Sequence, residues 1–232
     1  MKKIINYILV FTAILTVGIM LNACGDDEVD STSDSTEDNA DKTEEQLSKT
    51  GTINGHSYVD LGLSVKWATC NVGTDNPEEK GSFFAWAEIE EKDSYSMETY
   101  SFRDPATGKI RDIEYENISG TKYDAARVQW GGSWRMPTRA EFVELFSNCS
   151  SQDFKYKGVS GMLFTASNGN CVFLPLSGEK YNGDKYGGEY KGSYWTSEGN
   201  THSAHPFCIT YSVNQTGVYS SWNGLVIRPV SD

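Results

Sequence analysis

Residues 50–232 predict an α+β domain in which two helices lie against short, mostly antiparallel strands. Three features of the sequence carry that expectation. The apolar runs are short and punctuated by Gly and Asn, which favours strands closed by tight turns. Asn-Gly pairs at 54–55 and 168–169 sit between such runs, where a type I′ turn needs positive φ at both central positions. Thr138-Arg139-Ala140-Glu141 has the spacing of a capping box, with Thr138 capping the third amide and Glu141 reaching back.

In chain order, Gly51 to Asp60 reads as a hairpin around Asn54-Gly55, and Val65 to Cys70 as a strand. Ser82 to Trp86 is a third short apolar run, and Asp104 to Gly108 a hairpin turn. A short helix is expected from Asp124 to Trp130, stopped by Gly131-Gly132. After the capping box, Phe142, Leu145 and Phe146 share one helical face with Val143 beside them, and that helix should end near Asn148. Met162 to Ser167 and Asn170 to Leu174 flank the second Asn-Gly turn. Tyr194 to Ser197, Pro206 to Ser212, Gly217 to Ser220 and Leu225 to Pro229 complete the strands.

The first 24 residues read as an export signal. Lys2 and Lys3 precede the apolar run Ile4 to Leu21, and Leu21-Asn22-Ala23-Cys24 resembles the lipobox of bacterial lipoproteins. Cleavage there would leave Cys24 to receive acyl chains, palmitate among them. The competing reading is an uncleaved membrane anchor; the small Ala23 and the polar switch after Cys24 favour lipidation. Residues 25–49 carry ten acidic residues, two lysines and no aromatic, so they bury too little apolar surface to order themselves and read as a disordered tether. Within the tether, Cys24 followed by Gly25-Asp26-Asp27-Glu28 looks like the acidic signal that sends bacteroidete lipoproteins to the outer face of the outer membrane. Asp30-Ser31-Thr32 and Asp34-Ser35-Thr36 look like O-glycosylation acceptors of the same bacteria.

Setting the +2 of the signal and the −8 of the tether aside from the total of −12 leaves −6 for the domain. That mildly acidic balance argues against a nucleic-acid partner and leaves sugars and proteins open.

Trp134-Arg135-Met136-Pro137-Thr138-Arg139-Ala140-Glu141-Phe142 resembles the Fibrobacter succinogenes major paralogous domain family of bacterial surface lipoproteins. Further matching pieces are Tyr58 to Ala68, Asn71-Val72-Gly73, Phe84-Ala85-Trp86, Asp124-Ala125-Ala126, Tyr194-Trp195 and Val226 to Val230, in the expected order. The resemblance implies a C-type-lectin-like fold, related also to formylglycine-generating enzymes, with paired N- and C-terminal strands below a long loop region. Fold alone does not transfer activity.

The chemistry of those relatives is not matched. Formylglycine generation needs a late metal-binding thiol pair, whereas only Cys208 lies there and Cys171 sits well before it. The Glu-Pro-Asn, Gln-Pro-Asp and Trp-Asn-Asp signatures of calcium-dependent lectins are absent, and Ser221-Trp222-Asn223-Gly224 lacks the carboxylate. Asp184, Glu189 and Glu198 are acidic but not spaced as a cation loop, and His202 and His205 stand three apart without a metal motif around them. No nucleophile elbow, phosphate loop or dinucleotide fingerprint occurs. The expectation is a non-enzyme with no catalytic residue, no metal and no cofactor. Cys70, Cys149, Cys171 and Cys208 form either one or two disulfides or four buried thiols.

Tyr181 to Ser203 is rich in Gly and aromatics, and a later loop adds Tyr219 and Trp222. Trp67, Trp86, Trp134 and Trp195 lie in the family-matching pieces and are assigned to the core, and Arg228, between apolar neighbours, to a structural role. Tyr186, Tyr190, Tyr219 and Trp222 lie between those pieces and are the candidate ligand-binding residues, because flat aromatic faces stack on sugar rings or anchor protein interfaces. The expected function is a lipid-anchored binding or adhesion module for glycan or protein, held by Cys24 at the outer membrane and facing the cell exterior. The alternative is a structural subunit of a surface complex without a small-molecule site.

Overall fold

The computed structural model describes residues 51–186, 188, 190–199, 207–211 and 215–232. The signal, the tether, Cys24, His202, His205 and Glu189 lie outside them. The domain is mixed α and β, with mostly antiparallel strands and two helices among the described residues.

One sheet has the order β1 (Gly51–Ile53), β2 (His56–Val59), β3 (Lys66–Ala68) and β12 (Val230–Ser231), so the last strand closes on one of the first. A second runs β4 (Ser150–Tyr156), β5 (Val159–Thr165) and β6 (Cys171–Pro175). A two-stranded hairpin joins β7 (Glu179–Tyr181) to β8 (Asp184–Tyr186). A third sheet places β10 (Phe207–Tyr211) between β9 (Gly192–Trp195) and β11 (Gln215–Val218).

The turns explain the hairpins. Asn54 and Gly55 take φ 46° and 87°, the type I′ geometry the sequence implied. Lys157-Gly158 and Asn182-Gly183 adopt the same geometry and close β4–β5 and β7–β8. Asn168-Gly169 does not. Only Gly169 has positive φ, and the Gly169 amide bonds the Ala166 carbonyl while the Ala166 amide bonds Asn170. That is a type I turn followed by a left-handed glycine, and it makes a longer loop than the type I′ expectation.

Helix α1 (Ala125–Trp130) starts at the Asp124 N-cap and stops at Gly131, as expected. The Asp124 carboxylate, fully buried, accepts from the amides of Arg127, Gly120 and Met136 at 3.0, 2.7 and 2.8 Å. Helix α2 (Arg139–Asn148) has both bonds of the capping box, and Glu198 accepts from the Arg139 amide at 2.7 Å. Phe142 and Leu145 are buried and Phe146 packs against them, whereas Val143 is exposed: one hundred degrees from Phe142, it has rotated off the core face.

The C-terminal segment is a seam and not the single strand expected at Leu225 to Pro229. Leu225 pairs with Phe84, Val226 accepts from Trp195, Ile227 from Val72 and Pro229 from Ala68, so each residue serves a different part of the domain. Ser82 to Trp86 contributes only the Phe84–Leu225 bridge for the same reason. Arg228 sits fully buried in this seam, its Nε donating to Asn71 Oδ1 at 2.8 Å and its guanidinium to the Ala68 carbonyl at 3.0 Å. Trp67, Trp86, Trp134 and Trp195 are all in the core, and the last three donate their indole N–H to the carbonyls of Thr196, Ile53 and Phe84. The four domain cysteines are buried, and none forms a disulfide among the described residues. Burial pushes the Cys171 thiol up to about 11, so it stays protonated.

Candidate ligand-binding face

Two chain segments singled out for their aromatics meet in the fold. Lys180 in β7 and Gly224 exchange both backbone hydrogen bonds, at 2.8 and 2.9 Å, which fastens the β7–β8 hairpin to the turn closed by the Asn223 amide on the Ser220 carbonyl. Asn182, in the hairpin turn, donates its amide to the Tyr95 carbonyl. The segment leading into β9 is tied back by Gly178, whose amide bonds the Lys191 carbonyl, and by Lys80, whose ammonium donates to the Gly188 carbonyl.

The four candidate aromatics are not equivalent on this frame. Tyr190 is the most exposed large apolar residue described, at 66% of its full surface. Tyr219 is half-buried: its ring packs on the core cluster around Trp195, and its hydroxyl lies 3.1 Å from Lys191 Nζ. Trp222 is also half-buried, against the cluster around Trp67. Both depart from the exposure the sequence suggested, because the turn carrying them is pulled onto the core by its backbone bonds. Tyr186 ends β8, and its side chain lies outside the described residues. Tyr181, in β7, adds a second exposed ring.

Tyr190 borders a cleft of about 460 Å³ walled by Asp153, Phe154 and Lys155 of β4, Ser160 and Gly161 of β5, and Leu176. The wall alternates charge, hydroxyl and apolar surface, and it can therefore hydrogen-bond and stack at once. Behind Tyr190, Lys191 bonds Glu179 at 2.9 Å and Tyr219 at 3.1 Å. Burial by itself lowers the Lys191 ammonium, but those two bonds outweigh it and hold the group above the ordinary lysine value. Lys191 therefore stays charged, and the backbone next to Tyr190 is pinned at Gly178 and Lys191.

The other candidates separate by position. Glu198 caps α2, and Asp184 sits exposed on β8. Among the described residues, no three His, Cys, Asp or Glu side chains converge as metal ligands. His56 stacks flat on Trp130, with centroids 3.9 Å apart, in a packing role. Sequence reading passed over one aromatic group altogether: Tyr100, Phe102, Tyr123 and Tyr115 pack in series, yet they come from irregular segments with no periodicity to flag them. No helix among the described residues is long and apolar enough to cross a membrane.

Compared with family models, with curated proteins and with solved structures, the chain matches none.

Proposed function

We propose that this chain is a lipid-anchored surface protein whose C-terminal domain is a non-catalytic binding or adhesion module for glycan or protein. The observation that carries the reading is the Tyr190 ring, largely solvent-exposed beside a mixed polar and apolar cleft on a backbone fixed by hydrogen bonds. A tyrosine side chain has only two χ angles to fix, so it loses little conformational entropy when a ligand covers its ring, which is what makes it an effective anchor.

The C-type-lectin-like fold and membership of the major paralogous domain family belong to the same proposal. The closing of β12 on β3, next to a long irregular segment between β3 and α1, supports them. Anchoring through Cys24 belongs to the same proposal, with the acidic tether carrying the domain outward from the outer membrane. The half-burial of Tyr219 and Trp222 favours the second reading, a structural subunit of a surface complex, and narrows the proposed contact to Tyr190 and the cleft beside it.

The test compares cells displaying the intact chain with cells displaying Tyr190→Ala, scoring adhesion to immobilised host glycans and host surface proteins. The reading requires adhesion by the first and its loss in the second at equal surface amounts. Equal adhesion by both strains moves the contact away from Tyr190.

A further inference from the structure

A second cavity, of about 450 Å³, opens between residues 87–92 and the aromatic series. Its volume is in the range of about 300–1,000 Å³ typical of small-molecule sites. Phe102 and Tyr123 form the apolar floor, with centroids 5.6 Å apart, and Ile89 adds an aliphatic wall. Tyr115 extends the series at 6.0 Å from Tyr123 and is itself exposed.

The frame around this floor is fixed. Glu88 is buried, accepts from the Ser101 amide at 2.7 Å and pairs with Lys92 at 2.7 Å. Gln129 donates to the Ile89 carbonyl at 2.8 Å, and Tyr100 donates its hydroxyl to the Trp86 carbonyl at 2.9 Å. Glu91 is engaged by Lys180 at 3.2 Å. Two charged groups at the rim remain uncommitted among the described residues: Glu90, exposed and without a hydrogen bond or ion pair, and Lys122, which only overhangs the Tyr123 ring at 5.0 Å.

This combination selects among ligand classes. Glu88 is neutralised by Lys92 and Glu91 by Lys180, so one carboxylate and one ammonium remain at the rim, and these two free charges give a lone anion or cation no net attraction. A neutral ring with one apolar face and hydroxyls at its edge is opposed by neither. Its C–H face covers the aromatic floor, while its hydroxyls both donate and accept and so match one free carboxylate and one free ammonium. We propose that this cavity binds a neutral saccharide, one sugar ring lying on Phe102 and Tyr123 with hydroxyls donating to Glu90 and accepting from Lys122. The site uses none of the residues around Tyr190, and it stands even if that face binds nothing.

The test uses the full chain in a detergent without a sugar headgroup, which would otherwise compete. Saturation-transfer NMR titrations probe methyl β-glucopyranoside, methyl β-galactopyranoside, methyl α-mannopyranoside, cellobiose and lactose, with glucuronate and glucosamine as charged counterparts. At least one neutral sugar is expected to saturate in the millimolar range and to outbind both charged ones. Tyr123→Ala and Glu90→Gln should each weaken it roughly fivefold or more, the size of one lost ring contact or charged hydrogen bond. Glu90→Gln alters an exposed side chain, so it reads the site even if Tyr123→Ala disturbs packing. Tyr190→Ala is titrated in parallel to separate the two faces: sugar binding lost there but kept in Tyr123→Ala and Glu90→Gln assigns the sugar to the Tyr190 face and overturns this site. The proposal is overturned if no neutral sugar binds, if both variants bind as the parent does, or if a charged sugar binds best.

Discussion

Lys180 and Gly224 bond each other's backbone in both directions, and this bridge helps join the two segments that carry the candidate aromatics. Gly224 has no room for a side chain: a Cβ would lie 2.7 Å from the ring of Tyr95. That ring is fully buried and its hydroxyl donates to the Phe83 carbonyl, so it has nowhere to move. Gly224→Ala is therefore expected to destabilise the domain by about 1–3 kcal/mol, the usual cost of overpacking. Thermal unfolding of the two proteins checks this, and an unchanged melting temperature would mean the bridge is loose.

Arg228 should be structural and not a ligand contact. It is fully buried, with Asn71 and the Ala68 carbonyl as acceptors. Arg228→Ala empties that site and strands the acceptors, for an expected loss of about 3 kcal/mol or more. Denaturant titration measures it; a neutral outcome would place the guanidinium in solvent.

Asp124 ties the start of α1 to the entrance of α2 through three amides, those of Gly120, Arg127 and Met136. Asp124→Ala leaves the buried Met136 amide and the part-buried amides of Gly120 and Arg127 without their acceptor and should cost about 1–3 kcal/mol, while Asp124→Asn, which keeps one acceptor oxygen, should cost less. Equal stability in both variants would contradict the network.

The helices were legible because their caps are local. Thr138, Glu141, Asp124 and Gly131 lie within a few residues of the turns they close, so their chemistry shows in the sequence. Asn54-Gly55 was legible for the same reason. Asn168-Gly169 was not, since dipeptide chemistry permits two loop lengths and the β5–β6 register, Thr165 opposite Cys171, selects the longer one. The seam from Leu225 to Pro229 was misread as one strand because its partners, Phe84, Trp195, Val72 and Ala68, are remote in sequence. At the candidate face, composition located the aromatic segments correctly. Exposure depended on long-range packing: Tyr219 and Trp222 were drawn half inside while Tyr190 was not. The Phe102–Tyr123 floor left no sequence signal, since a series of rings from non-adjacent loops exists only after folding.

The four domain thiols are buried and form no disulfide among the described residues. In the chain from residue 50 onward, a thiol reagent should label none of Cys70, Cys149, Cys171 and Cys208 in the native protein and all four in denaturant without reductant. Mass spectrometry of the labelled chain counts them. Fewer than four labels after denaturation without reductant would reveal a disulfide.

The central claim is that Tyr190 is a binding residue and not a folding one. The direct measurement pairs melting temperature with capture of ligand from host surface material for the intact chain and for Tyr190→Ala. A side chain this exposed contributes little to folding, so the melting temperature should stay within about 1–2 °C, a shift corresponding to a few tenths of a kcal/mol. Capture should fall about tenfold or more, the loss expected of an interface anchor. Undiminished capture by a stable Tyr190→Ala protein would contradict the account.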